Sequence, residues 1–242
     1  MTVTGEHLLL YEQPPLLRIA GDAIRPGGLD LTDRAMSLCA LEPGAWVLDA
    51  GCGQGATVEH LASRYRLRAV GVDPSAFLLR AGLERAPSAP LIQAVGEALP
   101  VASDLFAAVF AECTLSLMDR ERALAEFHRV LHDDGWLILT DMYARDPAGA
   151  AELRHLPVRS CVAGAVSREE LIASVTAHGF SVRLWEDHTD ALKRFAARLI
   201  WEHGSLANFW QCAAQTDGSV LDGAVTLSRP GYYLMIAQKS RD

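Results

Sequence analysis

The residues best placed to do chemistry are an acid and three alternating glycines. Asp49 stands two residues before Gly51, and Gly53 and Gly55 follow at every second position. Glycine reaches positive φ in a tight turn and lacks the Cβ that would hold a ligand away from the backbone. A second acid, Asp73, lies 22 residues beyond Gly51 and ends another apolar run. That offset is near the roughly 20 residues at which a second-strand acid meets ribose hydroxyls, and one carboxylate accepts from both. Glu112 and Asp141 close two later apolar runs. Each has the chemistry of a base or of a group that holds a substrate. Plainer roles fit the same acids, since strand ends are often capped by carboxylates.

The elements that must carry these residues follow from periodicity. Trp46–Ala50 is apolar and suits a buried parallel strand, whereas Val58, Leu61, Ala62 and Tyr65 repeat at helical spacing. Strand, glycine turn and helix start together predict a nucleotide cradle with free backbone N–H groups. Further strands are expected over Leu67–Val72, Leu91–Val95, Phe106–Ala111, Trp136–Thr140, Phe180–Trp185 and Tyr232–Ala237. Between them, helices are expected with Leu79, Gly82, Leu83 and Ala86 on one face, and from Asp119 to Leu131 with Asp119 as cap. Two more run through Leu171, Ile172 and Val175 behind Ser167, and through Leu192, Phe195, Ala196 and Leu199. Thr32 reads as the N-cap of an earlier helix that reaches Leu41, Asp133-Asp134-Gly135 as a turn, and His128 as a solvated surface residue.

Composition narrows the class. Half of the 242 residues are hydrophobic, enough for a large core, and no apolar run is long enough to span a membrane. The polar N-terminus does not read as a signal peptide, so a cytoplasmic location is expected. A net charge of −8 speaks against a nucleic-acid partner and leaves a small-molecule substrate. Five scattered cysteines without a Cys-x-x-Cys predict reduced thiols and no metal site.

The order Asp49-x-Gly51-x-Gly53-x-Gly55, then Asp73-Pro74, resembles the signature of class I S-adenosylmethionine-dependent methyltransferases. Gly96-Glu97-Ala98-Leu99-Pro100 is similar to that family's Asp-Ala-Glu-x-Leu-Pro stretch, with Val95 in place of the acid, and Ala107 likewise replaces a common Asp. The run Arg129 to Trp136 resembles its late helix–turn–strand hallmark, with Asp134-Gly135 for the usual Pro-Gly.

The resemblance implies S-adenosyl-L-methionine as cofactor and a fold of class α/β. It implies one Rossmann-like, doubly wound, mostly parallel sheet with helices on both faces and an antiparallel last strand. Residues 1–31 are then an N-terminal cap or lid, and residues 32–242 the methyltransferase domain, with insertions at about 142–166 and 187–230. Implied cofactor contacts are Asp49, Ala50, Gly51, Cys52 and Gly53; Asp73 and Pro74; Gly96, Glu97, Ala98 and Leu99; Glu112; and, from the lid, Tyr11, Arg25 and Gly28. Residues at strand ends supply the rest: Glu112 and Asp141 as candidate catalytic acids, Cys113 and Tyr143 as candidate substrate contacts.

The expected reaction is in-line methyl transfer to a small-molecule acceptor. Alternatives from other classes are an NAD-dependent oxidoreductase and a module that binds S-adenosylmethionine without turning it over. A narrower alternative comes from Cys161-Val162-Ala163-Gly164-Ala165, which resembles a Cys-x-x-Gly-Ala stretch of arsenite methyltransferases. It implies a metalloid such as arsenite held by Cys161, with Cys113 and Cys212 as further thiols. That family's ligand cysteine after the glycine turn is missing here, and Cys52 within the turn is expected to pack.

Overall fold

The structure is a computed structural model that describes residues 10–21, 23–146, 159–214 and 217–241. Its centre is a seven-stranded sheet in the order β3-β2-β1-β4-β5-β7-β6. The strands are β1 (Trp46–Ala50), β2 (Arg68–Asp73), β3 (Leu91–Gln93), β4 (Phe106–Glu112), β5 (Leu131–Ala144), β6 (Phe180–Asp187) and β7 (Pro230–Lys239). β1 to β5 pair in parallel, and β7 runs antiparallel to both β5 and β6. This is the expected α/β, doubly wound arrangement.

Neighbouring residues of one strand face opposite layers, as the two-residue period of a strand requires. Leu48 and Ala50 join one apolar cluster with Phe127 and Val130 of α5 (Arg120–Val130) and with Leu171 and Val175 of α6 (Arg168–Ala177). Val47 joins the other, with Met36 of α2 (Asp30–Met36) and with Val58 and Leu61 of α3 (Ala56–Tyr65). On α4 (Ala76–Arg85) the buried positions are Leu78, Leu79 and Gly82, while the expected core residue Leu83 is exposed. A third cluster joins Leu10 and Leu16 of the N-terminal segment to Phe195, Leu199, Phe209, Trp210 and Leu221. Those last five belong to α7 (Thr189–His203), α8 (Leu206–Ala214) and α9 (Gly218–Ser228), between β6 and β7. The short helix α1 (Pro14–Ala20) carries Leu16.

Caps behave largely as expected. Asp119 accepts from the Arg122 N–H and Ser167 from the Glu170 N–H. Thr32 does not cap: it lies inside α2, which ends at Met36, and its hydroxyl turns to Glu112. β5 starts earlier than expected, because Leu131 already pairs with Phe106. Residues 132–135 then form an irregularity before Trp136 pairs with Ala108, with Asp134 at φ +61°. His128 is half-buried and meets the Phe180 ring edge-on, rather than standing in solvent. Met142–Ala144 belongs to β5; the rest of the expected insertion at 142–166 lies mostly at 147–158, outside the described residues. No helix among the described residues is long and apolar enough to cross a membrane.

Candidate active site

β1, β2 and β4 end at one edge of the sheet, and a cavity of about 520 Å³ opens there. Ten of the fifteen expected cofactor contacts line it: Tyr11, Arg25, Gly51, Cys52, Gly53, Asp73, Pro74, Gly96, Glu97 and Glu112. Gly28, Asp49, Ala50, Ala98 and Leu99 lie outside that lining. Leu99 is turned away for a visible reason, since its side chain is buried in the core and its N–H donates to Glu126 at 2.8 Å. Cys113 lines the cavity too, whereas Asp141, Tyr143 and Cys161 do not. Tyr143 instead packs edge-on against Trp185 and donates its hydroxyl to Asp187 at 2.7 Å.

The glycine turn departs from the expected cradle. Its N–H groups are occupied: Gly51 and Cys52 donate to Val72 O at 2.8 and 3.0 Å, and Gly55 to Cys52 O at 2.8 Å. Gly53 N–H donates to Asp73 Oδ2 at 2.8 Å, tying the turn to the end of β2. What the turn offers is space. A Cβ on Gly53 would meet only Leu78, at 3.9 Å, so its cavity side is open, while a Cβ on Gly51 would fall 2.3 Å from Thr114. Gly51 is therefore required by packing and Gly53 leaves room for a ligand. Cys52 packs as expected: its Sγ sits where a Cβ on Gly71 would come within 2.7 Å, and burial pushes its thiol pKa up.

Asp73 accepts from two backbone donors, Gly53 N–H and Ser75 N–H, both at 2.8 Å. Burial raises its pKa against the lowering effect of those two donors. Asp49 is pushed up to about 8, first by burial and then by the nearby charge of Glu112, with Arg25 opposing.

Glu112 sits in a closed ring. Arg25 Nη2 approaches Glu112 Oε2 at 2.8 Å and also donates to Thr32 and Thr57 at 2.8 and 3.0 Å. Both threonines in turn donate to Glu112, at 2.9 Å from Thr32 and 3.1 Å from Thr57. The ring joins the N-terminal segment, α2, α3 and the end of β4, with all four residues buried. Thr32 and Thr57 escaped the sequence reading because hydroxyl residues inside helices carry no site signal. Ser75 was findable: it follows Asp73-Pro74, caps α4 by accepting from Leu78 N–H at 3.1 Å, and donates to Glu12 at 2.6 Å.

A second group of side chains meets behind this cavity. The Cys113 and Cys161 sulfurs lie 2.6 Å apart, and the Tyr11 hydroxyl lies 2.6 Å from Cys161 Sγ. Ligand atoms of Cys113, Asp141 and Cys161 all fall within 4.8 Å of one another, where the cysteine spacing had predicted no metal-type cluster. Asp141 accepts from Ser116 N–H, Ser116 Oγ and Met142 N–H at 3.0, 2.9 and 2.8 Å. Burial pushes its pKa up to about 6. Cys212 is exposed on α8 and is not part of the group.

A mostly parallel sheet with an acid–glycine turn after β1 and an acid at the end of β2 is the arrangement that the class I S-adenosylmethionine-binding fold was expected to have. Residues 48–139 match the family described as "Methyltransferase domain". Residues 48–139 are thus similar to a methyltransferase domain of the class I fold, a domain type whose cofactor is S-adenosyl-L-methionine. An uncharacterized methyltransferase of Bacillus subtilis, YodH, is 32% identical over 150 residues, or 60% of this chain and 63% of its own. The chain thus spans about three fifths of that relative's length. Among solved structures, the [4+2]-cyclase SpnF superposes with a TM-score of 0.72 at 22% identity, covering 98% of this chain and 88% of its own. A phosphoethanolamine N-methyltransferase of Haemonchus contortus, bound to S-adenosylhomocysteine, gives 0.70 at 19% identity over 94% of this chain and 56% of its own. At such identities the likeness is one of fold.

The residues present fit that cofactor. Arg25 Nε is buried without a partner, as suits an incoming carboxylate. Acidic Glu12, Asp73 and Glu97 line the cavity against Arg159, and Arg25 is already paired with Glu112, so acceptors for a cationic group are present.

Proposed function

We propose that the chain transfers the methyl group of S-adenosylmethionine to a small-molecule acceptor by in-line displacement. The observation that carries this reading is the Gly53–Asp73 hydrogen bond at 2.8 Å, which fixes the glycine turn and the ribose-accepting acid as one wall of a 520 Å³ cavity. The bound cofactor supplies an electrophilic methyl group on a sulfonium, and the protein's part is to align, enclose and neutralise. Asp73 holds the ribose hydroxyls with its remaining lone pairs. Arg25, kept in place by Glu112, Thr32 and Thr57, presents Nε to the carboxylate.

Glu112 and Asp141 act as positioning residues rather than as bases. Both oxygens of each already accept internal hydrogen bonds, Glu112 from Arg25 and the threonines, Asp141 from Ser116 and Met142. The segment carrying Tyr11 and Arg25 serves as the lid, as its place in the cavity wall suggests. Incubating the protein with S-adenosylmethionine and a panel of phenols, amines, thiols and enolisable ketones tests the reading. S-adenosylhomocysteine formed only in the presence of one acceptor class is the expected result. Tight cofactor binding without turnover across the whole panel favours the binding-module alternative.

The approach of Cys113 and Cys161 to 2.6 Å, with Asp141 beside them, favours one second reading. There the acceptor is a thiol-seeking metalloid such as arsenite, because thiolates select soft centres. Titration with arsenite while counting free thiols separates the two. Protection of two thiols per chain, abolished by Cys161→Ser, supports the metalloid; no protection leaves the organic acceptor.

A further inference from the structure

A second cavity, of about 150 Å³, lies beside the cofactor cavity. The two share Tyr11, Ile24 and Cys113 as common wall. The far side is built by α7, α8 and α9 through Phe195, Ala196, Leu199, Phe209, Trp210 and Val225. No charged side chain is among the lining residues. Most of the few polar groups are already engaged: the Tyr11 hydroxyl contacts Cys161 Sγ and accepts from Cys161 N–H, and Ser160 Oγ accepts from Ala163 N–H, while the buried Trp210 indole N–H has no acceptor. A charged ligand group placed here would lose its hydration with no opposite charge among the lining residues to replace it.

We infer that this chamber is the acceptor pocket and takes an uncharged, mainly hydrocarbon group, one ring or a short chain, with the methyl-accepting atom at the Tyr11–Cys113 wall. The inference rests on the methyl-transfer reading and deepens it by naming the substrate class. Size sets the upper bound. An apolar cavity near 150 Å³ stays dry and holds benzene, so the buried part of the ligand is about six to eight carbons. Chemistry sets the polarity. Trp210 buries its indole Nε1–H without an acceptor, so a single neutral oxygen is the polar feature that the wall accommodates, and a phosphate or carboxylate is excluded. The position of the walls gives the rest. Three helices inserted between β6 and β7 build the far side, while β1 to β4 and the glycine turn hold the cofactor, so acceptor choice and cofactor binding reside in separate parts of the chain.

Calorimetry on the full chain saturated with S-adenosylhomocysteine tests this with two para-substituted rings of eight carbons each, 4-ethylphenol and 4-methylbenzoate. The first is neutral and the second is a carboxylate near pH 7. Expected is one site for 4-ethylphenol, at least about tenfold tighter than for 4-methylbenzoate. Ala196→Leu and Val225→Phe each add carbon to the chamber wall at half-buried positions. Each should weaken 4-ethylphenol by about tenfold and leave S-adenosylhomocysteine within about twofold. Equal binding of the two probes, no binding of either, or full 4-ethylphenol affinity in both folded variants overturns the inference. The outcome is separable from the methyl-transfer reading. Loss of S-adenosylhomocysteine binding with variant-sensitive probe binding sinks that reading and spares the chamber; the reverse pattern sinks the chamber alone.

Discussion

Arg25→Met should unsettle the protein by breaking the buried ion pair that ties the N-terminal segment to the sheet. Arg25 is a buried cation 2.8 Å from a buried carboxylate, with side-chain exposures of 8% and 1%. Removing one partner of such a pair leaves the other charge uncompensated, which costs about 3–5 kcal/mol. Glu112→Gln should cost a similar amount, because it strands the guanidinium instead. The double variant strands neither charge, and its Gln still accepts from Thr32 and Thr57. Its loss should therefore fall short of the sum of the singles by about 3 kcal/mol. Urea unfolding followed by tryptophan fluorescence gives all three values. Additive losses, or a loss under about 1 kcal/mol for Arg25→Met, would show that the ring does not hold the N-terminal segment to the sheet.

Three further outcomes are expected. Gly53→Val places a branched side chain at φ +52° in open cavity space, so it should cost about 1–2 kcal/mol of stability and weaken S-adenosylmethionine by more than about tenfold in calorimetry. Asp73→Asn removes a charged acceptor and should weaken the cofactor by about tenfold, while in the native protein affinity should fall with pH as the raised Asp73 group takes up its proton. Asp141 rises from 3.8 to about 6 on folding, so the native state holds the extra proton between these values. Its contribution to stability is full below pH 3.8 and is lost as pH rises through about 6, a change of about 3 kcal/mol. Urea midpoints of Asp141→Asn measured from pH 4 to pH 7 should lack that component of the slope.

What the sequence made legible was local. The strand–turn–helix around Gly51 to Gly55, the acid at Asp73, and the caps Asp119 and Ser167 each lie within a few residues of the pattern that reveals them. The Arg25–Thr32–Thr57–Glu112 ring was not legible as a ring, since its hydrogen bonds join residues up to 80 positions apart. Topology alone closes it. The glycine turn misled in one respect: pairing with the end of β2 takes the Gly51, Cys52 and Gly53 N–H groups, which were expected to be free for a ligand. α9 was missed because Gly218, Ser219, Gly223 and Thr226 depress helix propensity, and tertiary packing around Leu221 overrides it. Cys113 and Cys161 were separately visible, one at a strand end and one in a short motif, but only the fold shows that they touch.

Calorimetric titration of the native chain with S-adenosylmethionine, set beside NAD under the same conditions, tests the central claim most directly. Gly53 and Asp73 as one wall of the cavity predict one S-adenosylmethionine per chain, no response to NAD, and loss of the signal in Gly53→Val. A folded native protein that ignores S-adenosylmethionine, or that takes NAD equally well, would contradict the account.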